Sequence, residues 1–265
     1  MNREALAEVL WKAEWEHRPI PPLTTTHPDL TIADAYAIQA INISRRLDEG
    51  RVIRGRKVGL TSKPMQALLG VEEPDFGVLV DDMFVEEGDD LALDTLLQPR
   101  IEAEVAFVMA EDLSGPGVTT SDALVAIRGA LPALEIVDSR VADWRITLVD
   151  TIADNASSGR LVIGGRLTPA AAVDLRLVGV ALSRNGRVVD TGAGAAALGN
   201  PLRCVAWLAN KLAEFGSSLR RGDVILSGAL HRMLPVASGD VFRADFSHLG
   251  SVSVRFVGSK QGGSE

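Results

Sequence analysis

Two glutamates one residue apart, Glu102 and Glu104 in Pro99-Arg100-Ile101-Glu102-Ala103-Glu104-Val105-Ala106-Phe107-Val108, carry the strongest chemical signal in the chain. In a strand, alternation puts both carboxylates on one face, with Cα atoms about 6.6–7 Å apart. Their neighbours are apolar, so the two charges repel and each loses hydration unless a cation neutralises them. Glu135, in Leu134-Glu135-Ile136-Val137, has a similar apolar setting. Three carboxylates on apolar strands, with no His or Cys nearby, describe a site for a hard divalent cation. Oxygen-only ligation suits Mg2+ or Mn2+ and argues against Zn2+ or Cu2+. A plainer reading, solvent-facing residues on a half-exposed strand, accounts for the same E-x-E pattern.

Lys57 opens the short apolar run Lys57-Val58-Gly59-Leu60. It serves as a proton donor or carboxylate partner if buried, and snorkels along the surface if not. Asp75 begins Asp75-Phe76-Gly77, a triplet without the catalytic and glycine-rich loops that a kinase needs. The polar loop Asp154-Asn155-Ala156-Ser157-Ser158-Gly159 offers hydroxyls and amides to a ligand, or closes as a turn. Gly192-Ala193-Gly194-Ala195-Ala196-Ala197 imitates a dinucleotide fingerprint, but it follows a hairpin and Pro201 interrupts the helix that should follow. Close backbone approach explains its glycines better. His17, His27, His231 and His248 fall in no ligand or triad spacing, and the lone Cys204 lies in a helical stretch without a nucleophile motif.

These residues need elements to position them. Leu6, Val9, Leu10 and Ala13 mark one face of an N-terminal helix, and three prolines between His17 and Pro22 end it. A Thr31/Asp34 capping box starts a second helix carrying Tyr36, Ile38, Ile41 and Leu47, which stops at Gly50. From Arg51 the texture changes to short strands: 57–60, 77–80, 101–109, 134–137 and 160–163. A hairpin follows, 177–182 with 187–189, about the turn Asn185-Gly186. Strands return at 224–227, 241–246 and 251–257. Helices are expected over 122–130, behind a Thr119/Asp122 box, and over 203–215. Strands and helices do not alternate regularly, so the pattern predicts an α+β fold with a mixed, curled β-sheet rather than a doubly wound one. Residues 1–50 form an N-terminal helical segment and residues 51–265 a β-rich core, with the tail from Gly258 frayed.

Composition narrows the function classes. Across 265 residues, 35 acidic against 27 basic side chains give a net charge of −8 with no basic run, which disfavours nucleic acid. No apolar stretch reaches membrane-spanning length, and the charged N-terminus has no signal-peptide core. The single cysteine suits a reducing cytoplasm.

Taken in order, several segments resemble the 2-hydroxypenta-2,4-dienoate (2-keto-4-pentenoate) hydratases of the fumarylacetoacetate hydrolase superfamily. They are Lys57-Val58-Gly59-Leu60-Thr61-Ser62-Lys63, Pro74-Asp75-Phe76-Gly77, Gln98-Pro99-Arg100-Ile101-Glu102-Ala103-Glu104, Glu135-Ile136-Val137-Asp138-Ser139-Arg140, Ala153-Asp154-Asn155-Ala156-Ser157-Ser158-Gly159 and Thr191–Gly199. The resemblance runs from about Leu30 to Val257. It implies a β-roll core of fumarylacetoacetate hydrolase type and a divalent metal, Mg2+ or Mn2+, on Glu102, Glu104 and Glu135. It also implies roles in the reaction for Lys57, Asp75 and Ser157, and a small 2-hydroxydienoate or 2-oxo acid as substrate. A homo-oligomer, pentameric or decameric, and association with the sister decarboxylase are implied as well, with Trp11 and Trp15 available to an interface. That sister, acting on 2-oxohex-3-enedioate (4-oxalocrotonate), shares the metal site and is the alternative activity. The superfamily's His-dependent C–C hydrolysis is disfavoured, because no His lies between His27 and His231. Leu230-His231-Arg232-Met233 departs from the family pattern, and Arg232 there suggests a different substrate tail.

Overall fold

The computed structural model describes residues 2–258, so the tail expected to fray after Gly258 lies outside the described residues. The N-terminal segment forms α1 (Arg3–Trp15), α2 (Leu23–Thr26) and α3 (Ile32–Asp48). Thr31 and Asp34 make the expected reciprocal cap on α3, and Asn2 caps α1. The chain continues through β1 (Ile53–Gly59), α4 (Lys63–Leu69), β2 (Asp75–Val80), β3 (Phe84–Val85), β4 (Asp90–Ala92) and β5 (Arg100–Met109). Next come α5 (Thr120–Ala126), β6 (Ile127–Val137), α6 (Leu148–Ala153), β7 (Ser158–Ile163), β8 (Gly179–Arg184) and β9 (Arg187–Ala193). It closes with α7 (Pro201–Ala213), β10 (Val224–Ala229), β11 (Leu234–Pro235), β12 (Val241–Phe246) and β13 (Gly250–Val257).

Two mixed sheets result, as the irregular alternation of elements predicts. The larger runs β2-β1-β10-β5-β6-β7-β3, with β11 also on β5, and the smaller runs β4-β13-β12-β8-β9. β1 with β10, β3 with β7 and β13 with β4 are parallel pairs; the rest are antiparallel. The larger sheet curls into a half-barrel, and strand alternation gives β5 two different faces. Ile101, Ala103, Val105 and Phe107 are fully buried in the main core with Cys204, Val205 and Leu208 of α7. Glu102, Glu104 and Ala106 face the inside of the curl, where Ala106 joins Leu79, Ala133, Leu161 and Leu226 in a smaller apolar cluster.

Several elements differ from expectation. The helix expected over 122–130 ends at Ala126, because Ile127, Gly129 and Ala130 pair with Met109, Val108 and Phe107 at the start of β6. A seven-residue helix is marginal alone, so sheet pairing and burial decide where it stops. Leu177 is not in a strand; it closes a turn onto Asp174 O (2.9 Å) and its side chain is exposed. The short helices α4 and α6 were not foreseen, although Thr147 and Asp150 cap α6 by the same reciprocal box that marks α3.

Candidate metal centre and active site

The register of β5 against β6 builds an acidic centre. Glu102 pairs directly with Glu135, and Glu104 follows two residues along the same face, opposite Ala133. One carboxylate oxygen from each of Glu102, Glu104 and Glu135 lies within 4.8 Å of the other two. Glu104 and Glu135 are buried, whereas Glu102 is partly exposed at the rim. Glu104 Oε2 accepts the Gly228 N–H at 2.7 Å. That approach depends on glycine: Gly228 has φ +99°, and a Cβ there would sit 2.2 Å from Thr61 Oγ1. Both Glu135 oxygens are buried without a hydrogen-bond partner, although the Lys57 ammonium stands 3.2 Å from Oε1 as an ion pair. Lys57 Nζ donates instead to Ala156 O (3.1 Å). Buried orphan oxygens among three converging carboxylates are the donor set that a hard cation fits.

The crowding shows in proton affinities. Burial and then the charge of Glu135 push Glu102 up to about 7, and the same causes, joined by Glu102, raise Glu104 well above the carboxylate range. Burial pushes Asp75 up to about 6 against the pull of Lys57. Desolvation alone would lower Lys57, but Glu135, Asp75, Glu104 and Glu102 together hold it above its ordinary value. So Lys57 is buried and charged, not snorkelling. Four carboxylates from β2, β5 and β6 act on one ammonium from β1.

Ser157 joins this group through its neighbour, since Ala156 O is the acceptor for Lys57. Its own Oγ lies 3.4 Å from Thr151 Oγ1. Asn155, Ala156 and Ser157 all have left-handed φ, between 51° and 54°. Such residues cost about 1–3 kcal/mol each, so the surroundings must impose the conformation. Arg140 does much of this. Its Nε pairs with Asp154 Oδ1, its Nη1 donates to Asp138 O (2.8 Å) and Ser158 O (2.9 Å), and its Nη2 donates to Asp154 O. The Asn155 side chain grips β2, accepting from Val78 N (2.8 Å) and donating to Val78 O (2.9 Å).

The residues singled out from sequence therefore fall into one neighbourhood, with Glu102, Glu104, Glu135 and Lys57 in direct array. The glycine-rich run is backbone packing: a Cβ on Gly192 would lie 2.0 Å from Leu230 O. Arg232 turns outward to Asp190 (3.2 Å) and is largely exposed. Three features went unrecognised. His231 Nε2 accepts the Ala103 N–H (3.0 Å) between the two β5 glutamates, and its Nδ1 lies 2.6 Å from Arg232 O. Neither contact leaves a sequence pattern. The Arg140–Asp154 pair was visible only as part of quoted motifs. Arg100 stacks on Trp144, 4.8 Å from the ring centroid, beside the rim glutamate Glu102.

Among the described residues no helix is long and apolar enough to cross a membrane. The family model for the fumarylacetoacetate (FAA) hydrolase C-terminal region matches residues 53–257. The chain is 49% identical over 262 residues to a 2-keto-4-pentenoate hydratase of Paraburkholderia xenovorans, covering 99% of this chain and 97% of that one. It is 44% identical over 256 residues to the 2-hydroxyhexa-2,4-dienoate hydratase of Comamonas testosteroni, covering 96% and 97%. A solved 4-oxalocrotonate decarboxylase from Pseudomonas putida G7, complexed with magnesium and adipate, superposes with a TM-score of 0.93 at 42% identity, covering 97% and 99%. With the curled mixed sheet and the ordered motifs, these likenesses make the chain a member of the fumarylacetoacetate hydrolase superfamily and, within it, of the 2-keto-4-pentenoate hydratase family.

Proposed function

We propose that this chain is a metal-dependent hydratase, a hydro-lyase that adds water to 2-hydroxypenta-2,4-dienoate or a near homologue to give a 4-hydroxy-2-oxo acid. The setting is meta-cleavage catabolism of aromatic or steroid compounds. The observation that carries the reading is the convergence of Glu102, Glu104 and Glu135, with Lys57 against Glu135. Relatives named as hydratases over nearly the full length support it. In this reading the three glutamates hold Mg2+ or Mn2+, and residues 51–265 are the metal-binding core to which the helical segment 1–50 is attached.

When bound, the divalent ion supplies Lewis acidity at the substrate's C2 oxygen and an anchor for its carboxylate. The reaction first moves a proton from the C2 hydroxyl to C5, giving an α,β-unsaturated ketone. Water then adds its oxygen at C4 and a proton at C3. Asp75, with its proton affinity raised to about 6, takes and returns protons near neutral pH. Lys57, held as an ammonium in the resting site, steadies developing negative charge, or lends its Nζ proton and regains it within the cycle. Ser157, set by its left-handed backbone and by Thr151, orients water or substrate. A cytoplasmic homo-oligomer, pentamer or decamer, able to associate with the sister decarboxylase, completes the proposal.

Chelator-stripped enzyme should lose the absorbance decay of 2-hydroxypentadienoate and regain it with Mn2+ or Mg2+; unchanged turnover in chelator overturns the metal role. The likeness to the decarboxylase favours one second reading, loss of CO2 from 2-oxohex-3-enedioate at the same centre. Direct CO2 measurement on that substrate, compared with hydration of the dienoate, separates the two.

A further inference from the structure

The link after α1, the short helix α2 and the long helix α3 each touch the stretch that leads into Ser157. Ile20 exchanges backbone hydrogen bonds with Arg140 and Ala142 (2.9 and 2.8 Å). On α2, Thr24 donates through its N–H and Oγ1 to the buried Asp150 carboxylate (3.1 and 2.7 Å). The most pointed contact comes from α3. The Gln39 side chain is 3% exposed, and its Nε2 donates both to Phe76 O and to Ile152 O, each at 3.0 Å. Phe76 follows Asp75 on β2, and Ile152 lies on α6, two residues ahead of Asp154. One amide thus spans the two backbones that deliver Asp75 and the Ala156–Ser157 loop. Tyr36, one turn earlier on α3, stacks on the Phe76 ring with centroids 4.5 Å apart and presses on the same strand.

We propose that Gln39 is a positioning residue for the hydration reaction, fixing the separation between the Asp75 strand and the Ser157 loop. β2 is an edge strand, paired on one side only with β1, so no neighbouring strand duplicates the Gln39 bond to Phe76 O. Gln39 also lies outside residues 53–257, the part that matches the family model, so the N-terminal segment contributes to the reaction rather than only covering the core. A small displacement of one proton-handling group relative to another is costly in rate while leaving ligand anchoring intact. Its two hydrogen bonds go to β2 and α6, whereas Glu102, Glu104 and Glu135 sit on β5 and β6.

The inference rests on the roles proposed for Asp75 and Ser157, and the experiment keeps the two apart. Asp75→Asn and Gln39→Met, the latter close in volume but without donors, are compared with the parent for kcat, KM and Mn2+ binding by calorimetry. For Gln39→Met we expect kcat to fall about 10- to 100-fold, with KM and Mn2+ affinity changed less than about threefold. If Asp75→Asn keeps its activity, the assignment of Asp75 fails first. If Asp75→Asn is inactive while folded Gln39→Met retains the parent's kcat, even with a lowered Tm, Gln39 is only structural and the inference is overturned. Should Gln39→Met not fold, Gln39→Asn keeps an amide too short to span both carbonyls and must show the same fall in kcat; parent-like kcat there is equally fatal.

Discussion

Glu135 has an ion pair with Lys57 at 3.2 Å but no hydrogen bond to either oxygen. Its oxygens are buried and stand within reach of two other carboxylates. Glu135→Gln removes one charge from that cluster at nearly constant volume. In chelator the variant should therefore melt above the parent, because repulsion from Glu102 and Glu104 is relieved while Lys57 keeps Asp75, Glu104 and Glu102 as counter-charges. Its Mn2+ affinity, read by calorimetry, should drop by more than the roughly 10–100-fold typical of losing an outer partner of a metal ligand. A variant that binds Mn2+ as tightly as the parent would remove Glu135 from the ligand set. Lys57 has the opposite character, since its charge is wanted by every carboxylate around it.

Elements, rather than single residues, decide whether these groups meet. The loop after α6 is held in a left-handed run by the buried Arg140–Asp154 pair, whose carboxylate would be stranded without its partner. Arg140→Met should cost about 3–5 kcal/mol in urea unfolding, the usual penalty for an orphaned buried charge. Arg140→Lys should recover only part of it, because an ammonium cannot serve the carbonyls of Asp138, Asp154 and Ser158 in one plane. Equal stability of parent and Arg140→Met would contradict this account. The same elements show what was legible in the sequence. E-x-E on an apolar strand and Glu135 on its neighbour were readable because period-two alternation is local. Arg140, Asp154, Gln98 and Asn155 were not, since their partners are backbone groups and each other's side chains, 2–77 residues away in segments without periodicity. Gln39 was hidden differently: on a helix, a glutamine reads as solvent-facing, and only tertiary packing buries it. The end of α5 at Ala126 likewise depended on β5, which propensity does not see.

At the scale of the molecule, the inward-facing carboxylates tie stability to pH. Unfolded, they titrate near 4, while in the metal-free fold Asp75 is held near 6 and Glu102 near 7. Between these values the native state carries protons that the unfolded chain has released, so this contribution is present in full below about pH 4 and lost as pH rises through 6–7. Scanning calorimetry in chelator should show Tm falling between pH 5 and pH 8, and added Mn2+ should raise Tm more at pH 8 than at pH 5. A Tm that climbs over that range in chelator would mean the carboxylates are already neutralised from within the protein. The pairing of Glu102 with Glu135 has one last consequence. Slipping β6 by one residue would present Leu134 or Ile136 to the ion instead. Capture of Mn2+ during refolding should thus appear only after this strand pair, closed across the 17 residues 110–126, has locked its final alignment, so that ion uptake times the completion of folding.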